Sequence, residues 1–320
     1  MSVVRVRCRQ AGLTIAELMV AMALGLAVLL AAGALLVGSV RAHAALMETT
    51  EMDDGGRYAV DALARAIRLA AHVDWAAHPA PDPAAPAPAR IAGLDAHSLA
   101  RTVAGIESPL PDDVNGSDVL ALRFPGSGAP PGGDGATLDC AGFPVHRDEE
   151  GWSIFYVARN AQGEAELRCK YRGASNWSSD AVAGRVESFQ VLYGLDADGD
   201  GIPNRYVNAS ELAALDAALV LAGATPAEQA ADLHRRTHWK RVALVRVALL
   251  LHGPRLGPGM GDDVVFDLFG PDHGATYSAG DPGTRLAGAA LDAGRESRMR
   301  KVYGATVALP VAPVSDPDPG

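Results

Sequence analysis

From Leu13 to Val40 the chain runs through 28 residues fit to span a membrane, except that one carboxylate, Glu17, sits almost at the start of the run. A hydrocarbon core of about 30 Å takes roughly 20 apolar residues as a helix, and Leu18 to Val40 supplies that length without a charge. Ahead of the run, Arg5, Arg7 and Arg9 lie in a twelve-residue leader with no acidic residue. By the positive-inside bias this arrangement keeps the N-terminus in the cytoplasm and sends the rest of the chain across. A charged side chain inside the apolar part costs about 3 kcal/mol on insertion scales, so an acid placed there is expected to have a partner that neutralises it.

Two plainer readings compete. A cleaved secretory signal has an apolar stretch of about 7 to 15 residues and a small-x-small site. Ala31-Ala32-Gly33-Ala34 imitates that site, but the stretch here is longer and Glu17 interrupts it. The other is a signal anchor without processing, which gives the pairing of Gly12 with Glu17 no role.

The order of an Arg-rich leader, Gly12, then Leu13-Thr14-Ile15-Ala16-Glu17-Leu18-Met19-Val20 resembles the prepilin signature of type IV pilins, commonly a Gly followed by F-T-L-x-E. Leu13 stands where Phe is commonest and Ala16 where Leu is common; both are apolar. The resemblance implies that a membrane-embedded prepilin peptidase cuts between Gly12 and Leu13 and that Leu13 is then N-methylated. It also implies that Glu17 pairs, within the membrane, with the N-terminal ammonium of a neighbouring subunit during polymerisation. Such a pairing makes physical sense, because an opposite charge offsets much of the cost of burying a lone one.

The chain has 320 residues, 48% hydrophobic and 21% charged, enough beyond the apolar run for one large domain or two small ones. A net charge of -10 argues against a broad phosphate-binding surface, so no nucleic-acid partner is expected. Arg235, Arg236, Lys240 and Arg241 form a local basic strip whose plain reading is a solvated helix end. Of three cysteines, Cys8 leaves with the leader if cleavage is right, and Cys140 and Cys169 remain as an even pair. In an oxidising compartment a disulfide between them is the default expectation, stabilising by roughly 3 to 4 kcal/mol through its loop of about 30 residues. No C-x-x-C or nearby His pair completes a four-ligand zinc set.

Beyond Val40, Ala44, Leu46, Met47, Tyr58, Val60, Leu63, Ile67 and Leu69 recur at helical steps, which predicts one long helix, membrane half then amphipathic half. Carried from Leu13 to His72 it would be about 90 Å long. Gly55-Gly56 predicts a bend or local melting in its middle. The stretch HPAPDPAAPAPAR, His78 to Arg90, reads as an extended linker, and Pro125 to Ala136 as a surface loop. Asp118–Phe124, Trp152–Ala158, Ala165–Tyr171, Val186–Tyr193, Val242–Leu251 and Lys301–Leu309 read as strands. Ser210–Leu221 and Pro226–His234 read as helices, capped by Ser210 and by Thr225. Consecutive strands with few crossover helices favour an antiparallel sheet, hence an α+β head packed on the amphipathic half of the long helix.

Tyr58 to His72, the strand ending Tyr193-Gly194 before Asp196-Ala197-Asp198-Gly199-Asp200-Gly201, and the closing stretch Arg298 to Leu309 are similar to the PilW family of minor pilins. The usual closing Arg-Asn after the last strand appears here as Pro310. The resemblance implies a type IV pilin-like fold: a leader at 1–12, a transmembrane and polymerisation helix at 13–40, its amphipathic half at 41–75, a linker at 76–90, a β-rich head at 91–310 and a tail at 311–320. It implies a structural subunit that primes pilus assembly at or near the tip. Its partners would be other minor pilins, the major pilin, the prepilin peptidase, a tip adhesin and the inner-membrane assembly platform. The chain would sit in the inner membrane before assembly and in the pilus afterwards. A J-type pseudopilin of type II secretion is the nearest alternative.

Asp196, Asp198 and Asp200, followed by Gly201, match the start of a calcium loop, with Ile202 offering a carbonyl at position 7 and Asn204 a ligand at position 9. The bidentate acid of position 12 is missing: Val207 stands there, with Asn208 next and Glu211 beyond. Calcium therefore competes with an acidic solvated turn, and a calcium-dependent adhesive head is a further functional alternative. No other cofactor is expected. His234 and His238 lie one helical turn apart but lack the glutamate of H-E-x-x-H and read as ordinary polar-face histidines. Trp152, Phe155, Tyr156 and Trp177 read as core packing ahead of an exposed ligand surface. No G-x-S-x-G, phosphate loop or dinucleotide fingerprint is present, so no catalysis is expected.

Overall fold

The computed structural model describes residue 12 and residues 14–71, 85–111, 113–173, 175–255, 263–291 and 297–309. Arg5, Arg7, Cys8 and Arg9 of the leader, Leu13, the linker up to residue 84 and everything after Leu309 lie outside the described residues. The chain divides into two compact units, Met1–Thr50 and Glu51–Gly320. The boundary falls inside the stretch 41–75 that the sequence assigns to one amphipathic half-helix.

The first unit is the N-terminal part of helix α1 (Ile15–Ala70). Residues 15–48 are exposed without exception. An 18-residue window of this helix reaches a mean hydropathy of 2.6, and by length and composition the helix can cross a membrane.

In the second unit α1 becomes amphipathic. Met52, Gly56, Ala59, Leu63, Ala64, Ala66, Ile67 and Ala70 are buried, at the spacing of one helix face. Arg57, Asp61, Arg65 and Arg68 lie on the exposed side. The expected bend at Gly55-Gly56 does not occur, and α1 runs unbroken through the pair. Gly56 has a different job: a Cβ there would lie 2.6 Å from the ring of Tyr303, so the missing side chain lets strand and helix approach closely. Lys301 Nζ, 2.7 Å from Asp53 Oδ1, and the Tyr303 hydroxyl on the same carboxylate fasten that approach.

After α1 come β1 (Ile91–Leu94), β2 (Ser98–Leu99), β3 (Pro109–Leu110), β4 (Val119–Pro125), β5 (Glu150–Arg159), β6 (Ala165–Arg172), β7 (Trp177–Gly184), β8 (Val186–Leu195) and β9 (Arg205–Val207). Helices α2 (Ala209–Ala217) and α3 (Pro226–Arg236) follow, then β10 (Val242–Arg255), β11 (Val265–Asp267), α4 (Pro271–Tyr277), β12 (Arg285–Ala287), α5 (Gly288–Leu291) and β13 (Arg298–Ala308). They build a five-stranded sheet of order β1-β4-β5-β6-β7 and a four-stranded sheet of order β13-β10-β8-β9, every pairing antiparallel. β2 with β3 and β11 with β12 form two small ribbons.

The main core joins the buried stripe of α1 to both sheets. It gathers Leu63 and Ile67 with Leu120, Leu122, Phe155, Leu167 and Cys169 of the first sheet and with Phe189, Val191, Val245, Val247 and Leu249 of the second. Each fully enclosed Leu, Ile or Phe side chain contributes roughly 1.5–3 kcal/mol. Strand β8 is buried at every residue because it is covered on both faces. Phe189, Val191 and Tyr193 turn to the main core, while Leu192 meets Ala248, Leu268 and Phe269 on the other side.

All six expected strands occur, some a few residues longer. Helix α2 is capped by Asn208, two positions ahead of the expected Ser210, since Asn208 closes a reciprocal box with Glu211. Helix α3 is capped by Thr225, as expected. Phe155 and Tyr156 are core residues, whereas Trp152 and Trp177 are half-buried and meet edge to face, ring centres 5.5 Å apart.

Candidate functional site

The first candidate is the start of α1. Gly12, one half of the expected cleavage site, is exposed, and a Cβ placed on it would meet nothing within 4 Å among the described residues. Leu13, the other half of the expected cleavage site and the expected methylation site, lies outside the described residues. Glu17 is exposed in the first helical turn. Its Oε2 accepts from the backbone N–H of Thr14 at 2.9 Å and from the Thr14 hydroxyl at 3.0 Å. The N–H of Glu17 in turn donates to Thr14 Oγ1 at 3.2 Å. Thr14-x-x-Glu17 is thus a capping box, with the carboxylate at the helix end that the dipole leaves positive. Thr14 enters the sequence expectations above only as part of the signature, although its spacing to Glu17 signals the capping box. Chemically, the box holds the acid at the first turn of the rod on a single oxygen.

The second candidate is the loop between β8 and β9. Carboxylate oxygens of Asp196, Asp198 and Asp200 lie within 4.8 Å of one another, as an oxygen-loving cation requires. The loop owes its shape to Gly199 and Gly201, both at φ +83°, a region that residues with a Cβ seldom adopt. Their N–H groups donate to Asp196 Oδ1 at 2.6 Å and Oδ2 at 2.8 Å. Burial pushes the Asp196 carboxyl up, but the N–H bonds of Gly201 and Gly199 outweigh it and hold the group below its ordinary value.

Ligands further along fit less well. Asn204 donates from Nδ2 to Asp198 Oδ2 at 3.1 Å and accepts the Ala197 N–H on Oδ1, so both ends of its amide are engaged within the loop. Asp200 Oδ1 accepts from the N–H of Ile202 at 2.7 Å. Val207 lies in β9, and Asn208 and Glu211 are both spent on the cap of α2, so neither substitutes for the missing position-12 acid. Arg241 also reaches the loop, its guanidinium 2.7 Å from the Ala197 carbonyl. The three aspartates are suited to a cation, and the rest of the loop is closed upon itself.

The remaining sequence candidates go to local structure. Cys140 and Cys169 are joined in a disulfide, Cα atoms 5.9 Å apart, tying the long loop after β4 to β6. His238 Nδ1 lies 2.8 Å from Asp216 Oδ1. In the basic strip Arg235 and Arg236 lie against Asp232, and Lys240 donates to the Ala85 carbonyl.

Two stretches of the chain match known families. Residues 154–310 match the family described as Type IV Pilus-assembly protein W. Residues 7–33 match the Prokaryotic N-terminal methylation motif. No curated protein and no solved structure matches the chain.

Proposed function

The chain belongs to the PilW family of type IV minor pilins, and from that premise we propose that it is a structural subunit that primes pilus assembly and ends at or near the tip. Its fold is the α+β arrangement of a pilin, a long apolar helix continuing into a head of antiparallel sheets. In this reading the prepilin peptidase removes residues 1–12, Leu13 becomes the methylated N-terminus, and residues 13–40 sit in the inner membrane and later in the fibre. The head, beyond the linker at 76–90, then meets other minor pilins and an adhesin.

The observation that carries the reading is the exposed apolar helix with Glu17 in its first turn. A neighbour's freed ammonium approaching this turn meets a carboxylate already oriented by Thr14. The pairing replaces two isolated charges in lipid with one ion pair. Glu17→Val tests this: processing at Gly12 continues, while incorporation into filaments falls to background. Normal incorporation of the variant, scored in sheared pili by antibody, removes the role given to Glu17.

A second reading adds calcium at Asp196, Asp198 and Asp200, supported by the convergence of their oxygens. Extracellular calcium fills weak sites with dissociation constants on the order of 10⁻⁴–10⁻³ M. Calorimetric titration of the full chain with calcium, against an Asp196→Asn and Asp198→Asn double variant, decides it: heat in both or in neither contradicts the site.

A further inference from the structure

Where the end of β1, the start of β4, the cap of α2 and the turn 278–284 meet, three carboxylates are buried: Asp95, Asp118 and Asp281 are 9%, 1% and 4% exposed. Each fastens a different piece. Asp118 accepts from the N–H groups of Ala96 at 3.2 Å and Val191 at 2.8 Å, tying the turn after β1 to the central strand β8. Asp95 accepts from Ala209 and Ser210, the first N–H groups of α2, at 2.9 and 2.7 Å. Asp281 accepts from Nδ2 of the α2 cap Asn208 at 3.1 Å, joining the 278–284 turn to the same helix.

No lysine or arginine forms an ion pair with these three among the described residues. The groups that face them are few. His273 of α4 has Nε2 3.9 Å from Asp281 Oδ2 and is itself influenced by Arg246 of β10. Glu211 of α2 adds a further negative charge beside Asp281. Tyr193 of β8 feels both Asp95 and Asp118, and its enclosed hydroxyl has no hydrogen-bond partner. Acid is therefore stacked on acid in a buried place, with no lysine or arginine among the described residues paired to it.

We propose that Asp118 and Asp281, packed beside the carboxylate of Asp95, form a proton-dependent latch, which holds α2 and the 278–284 turn to the junction of the two sheets while the two keep their protons and loosens both when they ionise. The sign follows from burial. Loss of water, then the charge of Asp95, pushes the Asp118 carboxyl well above the ordinary range. Burial, with Asp95 and Glu211 adding to it against the bond from Asn208, pushes Asp281 up to about 6. An aspartate in the unfolded chain releases its proton near pH 4. Between about pH 4 and 6 the folded head binds more protons than the opened one, so the stabilisation is full at the acid end and is lost as pH rises through 6. Asp118 carries the loss to higher pH. His273 acts in the opposite direction, because burial and then Arg246 lower its affinity for a proton.

Amide hydrogen exchange on the full chain in detergent, normalised for the intrinsic pH effect, reads the latch. Between pH 4.5 and 7.5 the opening constant of amides in α2 and the 278–284 turn should rise at least roughly 20-fold, the part of the delayed proton release of Asp281 that falls inside this window, with Asp118 adding to it. Amides of β8 and β10 should stay protected. Asp281→Asn keeps an acceptor for Asn208 but cannot ionise, and should cut the rise several-fold, leaving the part that Asp118 carries. If that variant fails to fold, Asp118→Asn is read in its place: it keeps one of the two acceptors, so opening is higher at every pH, and the rise with pH should be smaller than in the wild-type chain. His273→Gln should leave the rise intact. Opening that is independent of pH in the wild-type chain, or a rise that is undiminished in the aspartate variant, overturns the proposal.

Discussion

Leu29 and Leu63 sit on the same helix, yet Leu29 is 70% exposed and Leu63 is 0% exposed. Around Leu29 the helix is apolar on every side and exposed. Around Leu63 it is apolar along one stripe only, and that stripe is covered by the two sheets. In the function proposed above, the all-round apolar part finds its cover in lipid or in neighbouring subunits, whereas the striped part is covered by its own head. The change of pattern along α1 thus separates what the subunit needs from others from what it supplies itself.

Truncation should break the comparison most visibly. Removing residues 1–50 takes away a whole compact unit and none of the main core, so the remainder should melt within a few degrees of the full chain and leave the membrane fraction. Removing residues 1–70 strips Met52, Ala59, Leu63, Ile67 and Ala70 from that core and should leave an unfolded or aggregated product. Circular dichroism melts with fractionation check both. A folded product after the larger deletion would mean that the head does not depend on α1.

Single substitutions sharpen the contrast. Leu63→Ala should destabilise the head by about 2–5 kcal/mol in denaturant titration, the range for opening a cavity in a packed core. Leu29→Ala should leave the same titration unchanged. At the smallest scale, Gly56→Ala puts a methyl group into the Tyr303 ring and should cost about 1 kcal/mol net, overpacking outweighing the gain in helix propensity. Gly55→Ala meets open space and should stabilise by about 1 kcal/mol. Equal effects at the two glycines would show that the Tyr303 contact does not set the helix position.

The periodic features are legible in the residues themselves: the long helix, the six main strands and the cap at Thr225 follow from spacing and turn chemistry. Gly55-Gly56 misleads because helix propensity speaks for an isolated helix, whereas Gly56 answers to Tyr303, 247 residues away in sequence. The strand Trp177–Gly184 is hidden because WSSDAVAG has little strand character of its own; it is held as a strand by pairing with β6. The Asp95, Asp118 and Asp281 cluster is invisible for a related reason. Asp118 looks like the polar first residue of a strand, and the groups that act on it, near residues 95–96, 191 and 281, come from three other parts of the chain. The acidic loop and the Cys140 and Cys169 pair are legible because a short motif and simple counting suffice for them.

The central claim is that α1 is made to be freed at its start and covered by neighbours. Intact-mass and N-terminal peptide mass spectrometry of the protein recovered from the producing cell tests it most directly. The account predicts a chain beginning at Leu13 with one added methyl group; a chain that keeps Met1, or one cut near Ala34, contradicts it.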